Sequence, residues 1–243
     1  MKHYIGIDEC GRGCSVGPMV MSLVNTTEEN RNQLIELGVK DSKTYKGKNK
    51  SVEMWNLSAE IRNTFLTSTV FASPNEIDSA VYCIPGHPEF DTLNGLERKM
   101  AIDLLWDISA QAIPRKNEDV TVYLDGKLIF RNIEKYLPWK NCNLIIEDKA
   151  DQKYPEVAAA SIVAKVHREY VINSIINDGT RSTLTKGGGY CNKHTEEWIR
   201  SWYPEYIAYI KGQKEYMPWQ YKTLRQSYKW TEKLLTRLNK ELG

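Results

Sequence analysis

The opening of the chain constrains its fold most. Two short apolar runs, Tyr4 to Asp8 and Pro18 to Val24, flank the turn Gly11-Arg12-Gly13-Cys14-Ser15-Val16-Gly17. Apolar runs separated by a tight glycine-rich turn read as two strands of a sheet. The first strand delivers adjacent acids, Asp8 and Glu9, to the mouth of that turn. Neighbouring residues on a regular strand point to opposite faces, so both acids serve one site only if the strand ends or bulges there.

The rest alternates. Thr26 to Leu37 reads as a helix, the lysine-rich Lys40 to Lys50 as a loop, and the β-branched, aromatic run Ile61 to Phe71 as a third strand. Ser73-Pro74-Asn75-Glu76 has the form of a capping box opening a helix, and the two prolines within Ile84 to Pro88 break it. Leu93 to Ile113 repeats its apolar residues at helical spacing. Thr121 to Leu124 and Cys142 to Ile146 are strands, and Val157 to Ile176 is a helix with small residues on its first turns. Strands alternating with helices after a three-strand meander predict an α/β domain with a mixed sheet.

With 243 residues and 41% apolar side chains the chain fills one substantial core or two small ones. The expected division is a catalytic domain over 1–180 and a basic, aromatic helical extension over 181–243, packed on it. That extension holds 12 basic and 6 acidic residues, whereas 1–180 holds 21 and 25. An acidic body with a basic tail suits a polyanion held near bound cations, although a solvated basic face has the same composition.

Charges interrupt every stretch approaching the roughly 20 apolar residues a membrane span needs, and the mean hydropathy is −0.52. No apolar signal segment opens the chain, so a cytoplasmic protein is expected; the expected assembly is a monomer. The five cysteines form no CxxC, which argues for reduced thiols. His87, His167 and His194 lack metal-ligand spacing.

Besides Asp8 and Glu9, Asp125 ends a strand before Gly126, and Asp151 precedes the small-residue helix. Strand ends converge readily in an open α/β sheet. Carboxylates gathered at one spot repel each other unless a cation neutralises them, so a cluster predicts hard oxygen ligands for magnesium or manganese. Two such ions about 4 Å apart suit phosphodiester hydrolysis. Taken singly, each acid serves equally well as a solvated strand-end or capping residue.

The run Gly6-Ile7-Asp8-Glu9-Cys10-Gly11-Arg12-Gly13, followed by Val16-Gly17-Pro18, resembles the opening motif of the type 2 ribonucleases H, the ribonuclease HII family. Val39-Lys40-Asp41-Ser42-Lys43, Ser73 through Asp78, Leu124-Asp125-Gly126, Lys149-Ala150-Asp151 and Ala158 through Lys165 also match. Gly189-Tyr190 and Leu224 through Trp230 complete the set in family order. Cys10 and Glu169 depart from the usual pattern.

The resemblance implies an RNase H-like fold, a mixed five-stranded sheet flanked by helices with a C-terminal helical extension. It implies hydrolysis on the 5′ side of ribonucleotides in RNA/DNA hybrids or embedded in duplex DNA, leaving 3′-hydroxyl and 5′-phosphate ends. Asp8, Glu9, Asp125 and Asp151 become the catalytic acids holding two Mg2+ or Mn2+ ions. Backbone amides of Gly11, Arg12 and Gly13 sense the 2′-hydroxyl, the group that separates RNA from DNA. Tyr190 stacks on the adjacent deoxyribose, and Lys43 and Lys165 meet phosphates as point charges. The rival functions are another RNase H-like nuclease, such as a resolvase core, and a non-catalytic nucleic-acid-binding module.

Overall fold

Strand β1 (Lys2–Cys10) pairs antiparallel with β2 (Met19–Thr27), from His3 opposite Thr27 to Cys10 opposite Val20. On its other edge β1 runs parallel to β4 (Asp119–Asp125), and β4 runs parallel to β5 (Cys142–Glu147). With β3 (Leu66–Ala72) the five strands form one mixed sheet in the order β3-β2-β1-β4-β5. The computed structural model describes residues 1–40, 44–45, 50–82, 92–111, 113–115, 118–176 and 183–242.

Two compact units divide the chain. The first consists of Met1–Cys10, Val20–Phe71 and Leu93–His167, and the second of Gly11–Met19, Ala72–Thr92 and Arg168–Gly243.

The first unit carries the sheet. With it come α1 (Arg31–Glu36), α2 (Lys50–Thr64), α4 (Leu93–Ala110) and the first three turns of α5 (Pro155–Ile176). Val24 and Leu34 join Met54, Leu57 and Ile61 of α2 and Ala159, Ala160, Ile162 and Val163 of α5 in one apolar cluster. The small residues of α5 let β1 approach its backbone. A Cβ on Gly6 would stand 2.2 Å from the Glu156 carbonyl carbon and 2.3 Å from the Val157 nitrogen. The buried Glu156 carboxylate accepts from Arg31 Nε at 2.7 Å and from Thr26 Oγ1 at 3.2 Å, which ties α5 to α1 and β2.

The second unit gathers α3 (Pro74–Val81), the end of α5, α6 (Thr183–Gly187), α7 (Lys193–Ile210) and α8 (Lys229–Leu242). Trp198, Trp202 and Tyr203 of α7 pack with Leu234 and Leu238 of α8 and with Val16 of the glycine loop. The capping box forms: Ser73 Oγ accepts from the Glu76 N–H, and Glu76 Oε2 accepts from the Ser73 N–H at 2.8 Å. Ser73→Ala should lower stability by about 1 kcal/mol, as thermal unfolding would register.

Two expected elements differ. The helix expected over Thr26 to Leu37 is only α1, because Thr26 and Thr27 continue β2 opposite Tyr4 and His3. Ile61 to Thr64, expected in a strand, form the last turn of α2. Met54, Leu57 and Ile61 place one apolar face of that helix in the core, and the lysine-rich residues before it hid the period. The Ile84 to Pro88 break lies outside the described residues, as does most of the Lys40 to Lys50 loop.

Candidate active site

The parallel pairing of β1 with β4 ends at Ile7 opposite Leu124. Asp8 and Asp125 each stand one residue beyond that pair, so the pleat turns them to the same face. Gly6, two residues before Asp8, meets α5 on that face. Ser161 of α5 hydrogen-bonds the Asp8 carboxylate.

Asp8 is only 8% exposed. Burial pushes its carboxyl well above the ordinary carboxylate range; the charges of Glu9 and then Asp125 raise it further, against the lowering effect of Ser161. The strand neither ends nor bulges at Glu9, since β1 stays in register with β2 through Cys10. Glu9 nonetheless acts on Asp8 through its charge.

Asp125 is tied to the turn that carries Asp151. The Lys149 N–H donates to Asp125 Oδ1 at 2.8 Å, and Lys149 adopts a left-handed φ of 60° that turns the chain into the 3-10 turn Ala150–Gln152. Within that turn Asp151 is 4% exposed. Lys165 lies four residues after Ser161 on α5, hence on the same helix face. Lys43 lies outside the described residues.

Among the described residues, no three acids, imidazoles or thiols are drawn together as tightly as metal ligands. The donor set nonetheless fits a hard divalent cation. A buried carboxylate destabilised by two neighbouring acids gains most from a positive charge between them.

Gly11, Arg12, Gly13 and Tyr190 come together in the second unit. Gly189 O accepts from the Ser15 N–H at 2.8 Å and the Val16 N–H at 3.1 Å, and Cys14 forms an antiparallel bridge with Tyr190. Arg168 binds three carbonyls here: its Nε donates to Pro18 O, Nη1 to Gly188 O and Nη2 to Val16 O, at 3.1, 2.8 and 2.9 Å. Its guanidinium also lies 5.7 Å from the Tyr190 ring centre, and that ring is 47% exposed. Gly11 has a φ of +92°, and a Cβ there would stand 2.3 Å from Arg168 Nε, so glycine is required twice over. A Cβ on Gly13 would meet nothing within 4 Å.

Reading the sequence for function misses Ser161, Arg168 and Arg225. The arginines carry no local signal: Arg168 stands between His167 and Glu169, and Arg225 between Leu224 and Gln226 in a polar tail.

A mixed sheet carrying acids at the ends of adjacent parallel strands, with a helix laid across that face, is the frame of an RNase H-like nuclease. The crystal structure of the ribonuclease H2 from Pyrococcus horikoshii OT3 superposes with a TM-score of 0.73 at 25% identity, covering 98% of this chain and 99% of that one. Ribonuclease HII in the PCNA:RNase HII complex from Archaeoglobus fulgidus gives 0.66 at 27% identity, over 93% and 95% of the two chains. Residues 5–211 match the ribonuclease HII family model. The ribonuclease HII of Pyrococcus furiosus is 32% identical over 209 residues, 84% of this chain and 83% of the relative. The chain belongs to the ribonuclease HII family, and it is an endonuclease of the ribonuclease H type. Among the described residues no helix is long and apolar enough to cross a membrane.

Proposed function

We propose that this endonuclease cuts on the 5′ side of ribonucleotides in RNA/DNA hybrids or embedded in duplex DNA, leaving 3′-hydroxyl and 5′-phosphate ends. The observation that carries this reading is geometric: Asp8 and Asp125 stand at the ends of adjacent parallel strands on one face of the sheet, with Asp8 buried and Glu9 next to it in sequence, an arrangement of acids that a bound cation would stabilise. Asp8, Asp125 and Asp151 would hold Mg2+ or Mn2+, with Glu9, on the other face of the continuous strand, adding its charge; the ions would supply Lewis acidity at the scissile phosphate and a more acidic attacking water.

The chain's own residues do the rest. Ser161 holds the Asp8 carboxylate toward α5. The Lys149 N–H holds Asp125 Oδ1 at the end of β4. Lys165 and Lys43 neutralise phosphates. The backbone of Gly11, Arg12 and Gly13 reads the 2′-hydroxyl, for which the open space at Gly13 gives room. The half-exposed Tyr190 ring, seated against Arg168, packs on the deoxyribose beyond the ribonucleotide.

A DNA duplex with one ribonucleotide, incubated with the enzyme and magnesium, should be cut once, immediately 5′ of the ribonucleotide. Cutting at deoxynucleotides, or none, would overturn the reading. Tyr190→Ala should lower cleavage at the single ribonucleotide about fivefold more than cleavage within a continuous hybrid, the worth of one aromatic contact. An equal loss on both substrates would make the ring a packing residue.

A further inference from the structure

Among the described residues, Arg225 is the largest side chain with no exposed surface. Its Nε donates to Gly17 O at 2.9 Å, and its Nη1 to Gly11 O at 2.6 Å and Arg12 O at 3.0 Å. No carboxylate lies among these partners. Taking a guanidinium out of water costs several kcal/mol, so a site that answers it with three backbone carbonyls and one tyrosine hydroxyl, and no carboxylate, uses the arginine to hold that backbone.

The backbone it holds is the glycine loop. Across a trans peptide the C=O of one residue and the N–H of the next point in opposite directions. With the Gly11 and Arg12 carbonyls both drawn onto Nη1, the N–H groups of Arg12 and Gly13 are turned away from Arg225. The position of Gly13, exposed and with open space where a Cβ would stand, lies on that outward course. Two adjacent N–H groups aimed outward make a small recess for an oxygen acceptor.

Two further groups steady the arginine. The Tyr228 hydroxyl donates to Arg12 O and accepts from Arg225 Nη1 at 3.2 Å. Asp78 of α3 clamps the segment itself: its Oδ2 accepts from the Gln226 N–H at 2.8 Å, and its Oδ1 from the Ser227 N–H at 2.9 Å and Ser227 Oγ at 2.6 Å. The order of support runs from α3 through the tail to the glycine loop, all within the second unit.

We infer that Arg225, steadied by Tyr228 and Asp78, is a specificity-determining positioning residue that aims the Arg12 and Gly13 N–H groups at the ribose oxygen of the substrate. This rests on the reading that the Gly11–Gly13 backbone senses ribose. Arg225 touches no substrate; it acts through the two peptide planes it orients.

The test measures Kd by fluorescence anisotropy, in EDTA so that no cleavage occurs, for a duplex with one ribonucleotide and for the same duplex in DNA throughout. The ratio of the two is the ribose preference, read beside the thermal midpoint. Loss of one or more hydrogen bonds should reduce the preference about threefold in Tyr228→Phe and about tenfold in Arg225→Lys, which keeps the charge but not the fork. Affinity for the all-DNA duplex should stay near that of the unmodified protein. A purely structural role would instead lower both affinities and the midpoint together, and that result would overturn the inference. Should Arg225→Lys fail to fold, Tyr228→Phe decides, since it removes one oxygen and keeps the ring. An unmodified protein without ribose preference would overturn the ribose-sensing reading and this inference with it. A clear preference in the unmodified protein that persists in folded Tyr228→Phe and Arg225→Lys would overturn this inference alone.

Discussion

Asp125→Asn is expected to lower magnesium-dependent cleavage by about 10³-fold, the scale on which removal of one electrostatic contact to a transition state is felt, while leaving the protein folded. Asparagine keeps an Oδ1 to accept the Lys149 N–H, so the turn carrying Asp151 stays in place. It also removes one of the two charges that raise the Asp8 carboxyl. Metal-free protein should therefore unfold at the same temperature as before or slightly higher. Asp8→Asn should behave alike, because the buried carboxylate it replaces is destabilised first by its own burial and then by both neighbours. Steady-state turnover and thermal unfolding, measured side by side, check the pair of effects. Near-normal turnover in magnesium would remove Asp125 from the catalytic set.

Gly6→Ala should have the largest effect on the fold. Its methyl group would lie 2.2 Å from the Glu156 carbonyl carbon and 2.3 Å from the Val157 nitrogen, and both are backbone atoms at the start of α5 that no rotamer change can clear. Strand and helix would have to separate by more than an ångström across a close-packed face. The expected cost is about 3 kcal/mol or more, which in a chain of this size lowers the unfolding midpoint by about 10 °C. Activity should fall as well, since Asp8 is two residues farther along β1 and Ser161 lies on the displaced helix. An alanine variant with an unchanged midpoint would mean that β1 and α5 are not packed as closely as described.

The two variants fail by different routes. Asp125→Asn loses charge at a preserved surface, and Gly6→Ala loses the surface itself. Scanning calorimetry in EDTA separates them without reference to turnover.

How much was legible in the sequence follows from the range of the interactions involved. β1, β2, β4, β5, α4 and α5 could be read because each announces itself within ten to twenty residues, through apolar period, glycine turns or a capping box. The first turns of α2 could not, because lysines and asparagines around residue 50 carry no period. The end of β2 could not either. Thr26 and Thr27 are extended by pairing with Tyr4 and His3, partners more than twenty residues away.

The candidate acids show the same divide. Asp8, Glu9, Asp125 and Asp151 could be named from where they stand relative to strands and glycines. That Asp8 and Asp125 share a face depends on β4 lying next to β1 in register, a pairing between residues over a hundred positions apart. Ser161 and Arg225 carried no local mark, because a serine in a small-residue helix and an arginine in a polar tail are ordinary until their partners are known.

By itself, then, the amino-acid order determined the elements, the family and the residue types available for chemistry, since all of these are written in local pattern and motif order. Only the tertiary structure decided which carboxylates feel one another, that β1 meets the backbone of α5 at Gly6, and that a buried arginine from the tail orients the peptide planes of Gly11 and Arg12. The reason is physical. Hydrophobic period and turn chemistry act between near neighbours along the chain, whereas strand register, burial of charge and carbonyl hydrogen bonding join groups that only folding brings within about 3 Å of each other.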